Sequence, residues 1–321
     1  MPIITGGLTA PPDAPAPPRK SLVEIPEVGY ASISYTDPSG TVWPLTDQEV
    51  GWFTLADGVS GMGAAGYALT SDPHPRGGAR LRHVQAQPRT IVWPLMVQGV
   101  THQEFTDRWR RLARAFTSTL RDGPGVLEVV RPDGGRRQAR VYYQEGFEGQ
   151  GRAGTGINWD TAVLTLFCED PYWVDPVPQS VHREYAVGED FFQPFPSLSS
   201  GQVLGATVLE NPGDVVVWPT WTITGPASLV TFTNTDTGEA FALNPTSVGH
   251  GNLLAGERVT VSTDPPRVRF QDGANWIGAL NWPGAELWGL PPGTSSITFQ
   301  LDGSGPGSAV DLSYNPRYET A

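Results

Sequence analysis

Apolar side chains fall on alternate positions through Ile91, Trp93, Leu95 and Val97, the period of a strand with one face on a core. Pro94 inside that run predicts an edge position or a bulge, because proline cannot donate to a ladder. Ser32–Tyr35 alternates in the same way and runs into Asp37-Pro38-Ser39-Gly40, a turn. Trp43, Leu45, Val50, Trp52 and Leu55 follow, ahead of a glycine-rich stretch at 58–66. The period then changes once. Phe105, Trp109, Leu112, Ala113, Phe116 and Leu120 lie 4, 7, 8, 11 and 15 positions along from the first of them, one face of a helix. Thr101 with Glu104 predicts a capping box, and Asp122-Gly123-Pro124-Gly125 predicts the stop.

Beyond the helix, Val126–Val130 and Gln138–Tyr143 flank Pro132-Asp133-Gly134-Gly135, a hairpin signal. Ile157–Cys168 predicts a long strand with bulky residues at Ile157, Trp159, Val163 and Phe167. The Pro-rich stretch Pro171–Pro178 predicts a domain boundary. The second half shows strand after strand and no helical period, with candidates at 215–218, 229–233, 239–243, 258–262, 267–270, 297–301 and 310–314. Short strands at this spacing predict a β-sandwich or jelly roll. The chain is thus mainly β with two domains, 21–175 and 176–321, behind a Pro-rich extended arm or disordered tail at 1–20.

Composition supports that architecture and narrows the chemistry. The 321 residues include 38 Gly and 31 Pro, as many short strands and turns require, and 11 Trp, which disorder does not carry. The formal charge is −12, so phosphate neutralisation along a duplex is not expected. Basic charge is local: the stretch from Arg108 to Arg140 is basic, and within it Arg108, Arg110, Arg111 and Arg114 lie largely off the apolar stripe of the helix. That face is either solvated or a surface for a neighbouring subunit. Cys168 stands alone, so no internal disulfide and no cysteine-based zinc site is expected, and its apolar surroundings predict an inert core thiol. No signal-peptide pattern opens the sequence, and no apolar run approaches the roughly 20 residues of a membrane span.

No motif nominates a catalytic, cofactor or metal site. Two segments match G-x-G-x-x-G, at 61–66 and 149–154, but neither leads from a strand into a helix as a dinucleotide site requires. Lys20 is the only lysine, which rules out a Walker loop, and the five histidines show no metal-ligand spacing. Tryptophan remains open. Trp276, Trp282 and Trp288 cluster in a loop-rich stretch and fit a buried β core, a sugar-stacking platform or a protein interface. Trp93, on the Pro-containing strand, and Arg108, Arg111 and Arg114, on the helix, are the candidate subunit interface.

The order of these pieces resembles the siphovirus-type tail component family, the distal tail proteins. The resemblance runs over about residues 25–320. It is carried by Arg89-Thr90-Ile91-Val92-Trp93-Pro94-Leu95, the helix with Glu104 and Arg111-Leu112, Pro132-Asp133-Gly134-Gly135 and Asp170-Pro171-Tyr172-Trp173. In the second half it is carried by Asn211-Pro212-Gly213-Asp214, Trp288-Gly289-Leu290-Pro291-Pro292-Gly293 and Tyr314-Asn315-Pro316-Arg317. It implies a tail-tube-like β-sandwich or split barrel with one flanking helix, followed by a galectin-like β-sandwich. It further implies a homo-hexameric ring between the tail tube protein and the tail-tip hub, with receptor-binding proteins as further neighbours. DNA would pass through the lumen without specific binding. The implied place is the virion, after assembly in the host cytoplasm, with no catalytic residue, cofactor or membrane insertion. The competing expectations are a lectin-like carbohydrate-binding adhesin using the second half's tryptophans, and a hydrolase with an unmarked carboxylate pair.

Overall fold

The computed structural model describes residues 31–55, 57–148, 157–185 and 203–321. The arm at 1–20 and the whole of the second glycine motif lie outside them. The first half holds β1 (Ser32–Thr36), β2 (Val42–Pro44), β3 (Trp52–Thr54), β4 (Tyr67–Pro73), β5 (Ala79–Ala86) and β6 (Arg89–Gln98). Then come α1 (His102–Thr117), α2 (Thr119–Asp122), β7 (Gly125–Val130), β8 (Arg136–Glu145), β9 (Trp159–Cys168) and β10 (Trp173–Val174). The second half holds β11 (Gln179–Glu184), β12 (Val203–Asn211), β13 (Thr220–Thr224), β14 (Leu229–Asn234) and β15 (Ala240–Leu243). It ends with β16 (Arg258–Ser262), β17 (Arg267–Phe270), β18 (Gly293–Asp302), β19 (Ala309–Tyr314) and β20 (Arg317–Tyr318).

One sheet dominates the first half, in the order β2-β1-β7-β8-β9-β6-β3. Its two ends meet: the amide of Thr54, at the end of β3, donates to the Leu45 carbonyl beyond β2 at 2.7 Å, so the sheet nearly closes. The enclosed face is the apolar parity of each strand, with Ile91, Trp93, Leu95, Val97, Leu127, Val129, Val141, Leu164 and Leu166 all buried. Helix α1 lays Leu112, Ala115 and Phe116 on this core, and the Phe116 ring stacks on Tyr35 at 4.1 Å. Thr101 Oγ1 accepts from the Glu104 amide at 3.2 Å, as an N-cap should. The Glu104 carboxylate reaches the Val100 amide at 2.8 Å, one residue before the cap amide that a capping box would satisfy.

Three expectations need correction. Pro94 is neither at an edge nor at a bulge, since β6 pairs β9 in unbroken register and has β3 on its other side. The Pro94 carbonyl accepts from Leu55, just past the end of β3. In an antiparallel ladder the N and C=O of one residue point the same way, so its missing N–H falls where no strand partner waits. Leu120 leaves the helical stripe, because α1 stops at Thr117 and Leu120 sits exposed on α2. Residues 215–218 form no strand; Val217 makes a single bridge to Leu290.

The second half is a pair of antiparallel sheets, β11-β19-β13-β16-β17 and β12-β18-β14-β15. Between them lies a separate core centred on Trp221, whose ring meets Phe232 at 4.4 Å and Trp288 at 5.1 Å. Residues 315–321 then cross back to the first half. Their strand β20 pairs β10, and Tyr318 and Ala321 pack on the first core.

Candidate assembly interface

The arginine face of α1 is the first candidate surface. Arg108 is tied down: it pairs with Glu104 at 2.7 Å and donates to the Gln98 carbonyl at 2.6 Å. Arg110, Arg111, Arg114 and Arg121 carry no salt bridge among the described residues. A groove of about 760 Å³ runs along Thr101, Gln103, Asp107, Arg110, Arg111 and Arg114. A second cleft of about 400 Å³ shares Arg111 and Arg114 and is walled by Trp43 and Asp37. The Asp37 carboxylate is already engaged by the amides of Ser39 and Thr41, the Ser39 hydroxyl and the Trp43 indole N–H. Burial pushes its pKa up, but those hydrogen bonds outweigh it and hold the carboxyl below its usual value. It is therefore a structural anion with its lone pairs spent.

Trp93 does not belong to a surface. It is buried beneath the sheet, with its indole N–H donating to Thr54 Oγ1 at 2.9 Å. Trp276 and Trp288 are also core, Trp276 stacked on Phe270 at 4.5 Å and Trp288 against Trp221. Of that trio Trp282 alone is exposed, and its indole N–H donates to the Ile277 carbonyl at 3.0 Å. The three therefore do not assemble an exposed stacking platform.

Two apolar faces are uncovered among the described residues, and neither was read from the sequence as a surface, although Trp159, Val163 and Phe167 stood out there as bulky strand residues. Strands β4 and β5 form a free two-stranded hairpin, exposed along nearly its whole length. Tyr67 faces Ala86, Leu69 faces Val84 and, past a bulge, Ser71 faces Leu81. The bulge keeps Leu81 on the face of Val84, so one side is apolar while Thr70, Asp72, Arg80, His83 and Gln85 lie on the other. Leu69, Leu81 and Val84 are 65%, 54% and 46% exposed. The second face is the outside of β9. Its inward parity, Ala162, Leu164, Leu166 and Cys168, is core, while Trp159, Val163 and Phe167 face out at 48%, 53% and 36% exposure.

The root of the hairpin is fixed by residues 315–321. Glu319 takes the Ala65 amide at 3.0 Å and the Tyr67 hydroxyl, and the latter bond, with a second from Tyr172, raises the Tyr67 pKa. Arg317 pairs with Asp170 at 2.7 Å and lies over the Tyr172 ring. Buried Arg89 ties this seam together. It donates to the carbonyls of Pro171 at 2.6 Å, Gly61 at 2.7 Å, Glu319 at 2.8 Å and Gly63. The first glycine motif thus serves as a carbonyl cage. A Cβ on Gly61, at φ +85°, would strike the Thr90 carbonyl.

No family model matches the chain, and no curated protein does. Solved structures do. The Dit protein of phage SPP1, described as a paradigm of hub adsorption apparatus in phages infecting Gram-positive hosts, superposes with a TM-score of 0.62 at 15% identity. That match covers 90% of this chain and 99% of the Dit chain. A chain of the phage P2 baseplate in its activated conformation matches at TM-score 0.52 and 10% identity, covering 91% of this chain and all of its own. At these identities the finding is one of fold, and it agrees with the resemblance carried by the motifs.

Proposed function

We propose that this chain is a structural component of a phage tail tip, a distal tail adaptor whose copies close into a sixfold ring between the tail tube and the hub. The carrying observation is that one fold match spans both halves together and nearly all of a hub protein. A tail adaptor must meet several neighbours at once, and this chain offers surfaces in excess of what a monomer needs. It has an unpaired arginine face, a bare hairpin and a bare outer sheet face. In this reading the first half builds the ring, and the second sandwich, galectin-like in the terms of the resemblance, is the outward platform for host-attachment proteins. The acidic excess suits a lumen that lets DNA pass without gripping it.

Mass photometry and negative-stain imaging of the full chain test this, alone at high concentration and mixed with a tail-tube protein. Closed rings of six are expected. A chain that stays monomeric in every mixture overturns the adaptor reading.

A further inference from the structure

We propose that Trp282 and the acidic rim beside it on one copy dock into the arginine-lined cleft of α1 on the next copy, bracing the second sandwich of one subunit on the first half of its neighbour. This rests on the ring reading and names one contact between its copies.

Residues 280–286 run along the outer edge of β15, with the Asn281 amide on the Ala242 carbonyl at 3.1 Å and the Glu286 amide on the Ala240 carbonyl at 2.9 Å. That brings Trp282, Glu286 and Glu239, the residue before β15, to one rim of the second sandwich. Trp282 is 52% exposed, yet its indole N–H is tied to the Ile277 carbonyl, so the ring is fixed while its surface is bare. A large aromatic already held in one orientation loses little freedom on burial, which suits it to anchor an interface. No cation offsets the carboxylates of this rim. Neither Lys nor Arg occurs between Glu184 and Glu257, or between Phe270 and Pro316, and neither Glu239 nor Glu286 has a salt bridge among the described residues.

The cleft of about 400 Å³ carries the complementary features, and carries them in its own lining. Trp43 and Ala115 give it an apolar wall, and Arg111, Arg114 and Arg121 line it without a salt bridge. Two carboxylates share the lining, but Asp37 is spent on its own loop, so three arginines against Asp122 leave the cleft cationic. A cleft of that volume takes a drug-sized group, and an indole is smaller. Guanidinium groups favour both aromatic faces and carboxylates, which are what the rim presents. Cleft against cleft would oppose arginines, and rim against rim would oppose carboxylates, whereas cleft against rim pairs charge of opposite sign at the contact itself. A second copy of this chain therefore supplies the occupant. The two surfaces lie at different places on one chain, so the contact is heterologous and repeats around a ring.

The experiment uses three full-length variants, under the conditions in which the wild type closes rings: Arg111→Glu with Arg114→Glu, Glu239→Arg with Glu286→Arg, and Trp282→Ala. None of the five positions is buried, and circular dichroism should show each variant folded as the wild type. Each alone should associate at least about tenfold more weakly than the wild type in sedimentation or mass photometry, as loss of an aromatic anchor or reversal of a charged contact does. Mixed one to one, the two charge-reversed variants attract each other at both kinds of joint. They should alternate and regain closed rings of six. Any of the three variants that assembles as the wild type does overturns this joint and leaves the adaptor reading standing. Charge-reversed variants that stay apart in the mixture overturn the pairing of these two surfaces. A wild type that stays monomeric in every mixture overturns the ring and the joint together.

Discussion

Replacing Arg89 with methionine tests whether the two halves are held by one buried cation. Its guanidinium meets no carboxylate and is instead surrounded by four main-chain carbonyls from three segments: the 61–63 glycine loop, the Pro171 turn and Glu319 of the crossing tail. Burial lowers its pKa, opposed at neutral pH by the nearby carboxylates of Glu319 and Asp170. Arginine nevertheless stays protonated at neutral pH. Hydrogen bonds to a charged donor contribute about 1.5–3 kcal/mol each, so four taken singly would exceed any plausible loss. The sum overcounts, because methionine also relieves the cost of desolvating the cation and water can reach some of the freed carbonyls. Breaking a buried charged network typically costs about 3–5 kcal/mol, and that is the expected loss for Arg89→Met. At about 2–4 °C per kcal/mol for a unit of this size, the melting temperature should fall by roughly 10 °C. Urea unfolding followed by tryptophan fluorescence is the assay, and Trp173, 5.8 Å from the guanidinium carbon, is a local reporter. Arg89→Lys should recover little, since one ammonium cannot span the fan of four acceptors. Calorimetry should also resolve two transitions in the variant where the seam couples them in the wild type. A loss below about 1 kcal/mol, or a lysine variant as stable as the wild type, refutes the reasoning.

Phe116→Ala should cost about 3–5 kcal/mol, because that ring is fully buried against Tyr35. Trp109→Ala, at the partly buried rim beside Phe147, should cost less than Phe116→Ala in the same denaturation series. Asp37→Asn should destabilise by about 1–3 kcal/mol at neutral pH. The folded pKa of Asp37 is depressed, so its contribution is complete above the unfolded value near 4 and lost as pH falls through the folded value. The gap between wild type and variant should therefore narrow in urea titrations run at successively lower pH. The Cys168 thiol, buried and pushed up to about 12, should resist alkylation in the native protein and label stoichiometrically in denaturant.

The fold was legible wherever one period dominated a segment. Strand β6 and its inward parity, the α1 stripe as far as Phe116, and the 131–135 turn with Gly134 at φ +86° follow from spacing and turn chemistry alone. Strand β13 was missed because Thr220-Trp221-Thr222-Ile223-Thr224 begins directly after Pro219 and offers only two apolar positions, although both are core. The end of the helix was misplaced for a related reason. Leu120 keeps the 3.6-residue phase, but the chain has already turned at Ser118, and periodicity cannot register a change of axis. The seam was hidden more deeply. Arg89 and Glu319 are 230 residues apart, and an arginine that binds backbone carbonyls leaves no complementary residue type to look for.

The two uncovered faces were illegible for opposite physical reasons. In the hairpin, an extra residue separates Leu81 from Val84, so the apolar side chains of β5 sit three apart. That spacing breaks the two-residue period by which strands are recognised, although the bulge restores one apolar face in space. In β9 bulky apolar residues occur on both parities, although Thr161 and Thr165 stand between Trp159, Val163 and Phe167 on the outward one, so the sequence reads much like a strand buried on both sides. That pattern belongs to sheets covered on two faces, whereas this antiparallel sheet has its core on one face only. Trp159, Val163 and Phe167 therefore stay exposed on the outer face although they follow the apolar pattern of a covered strand.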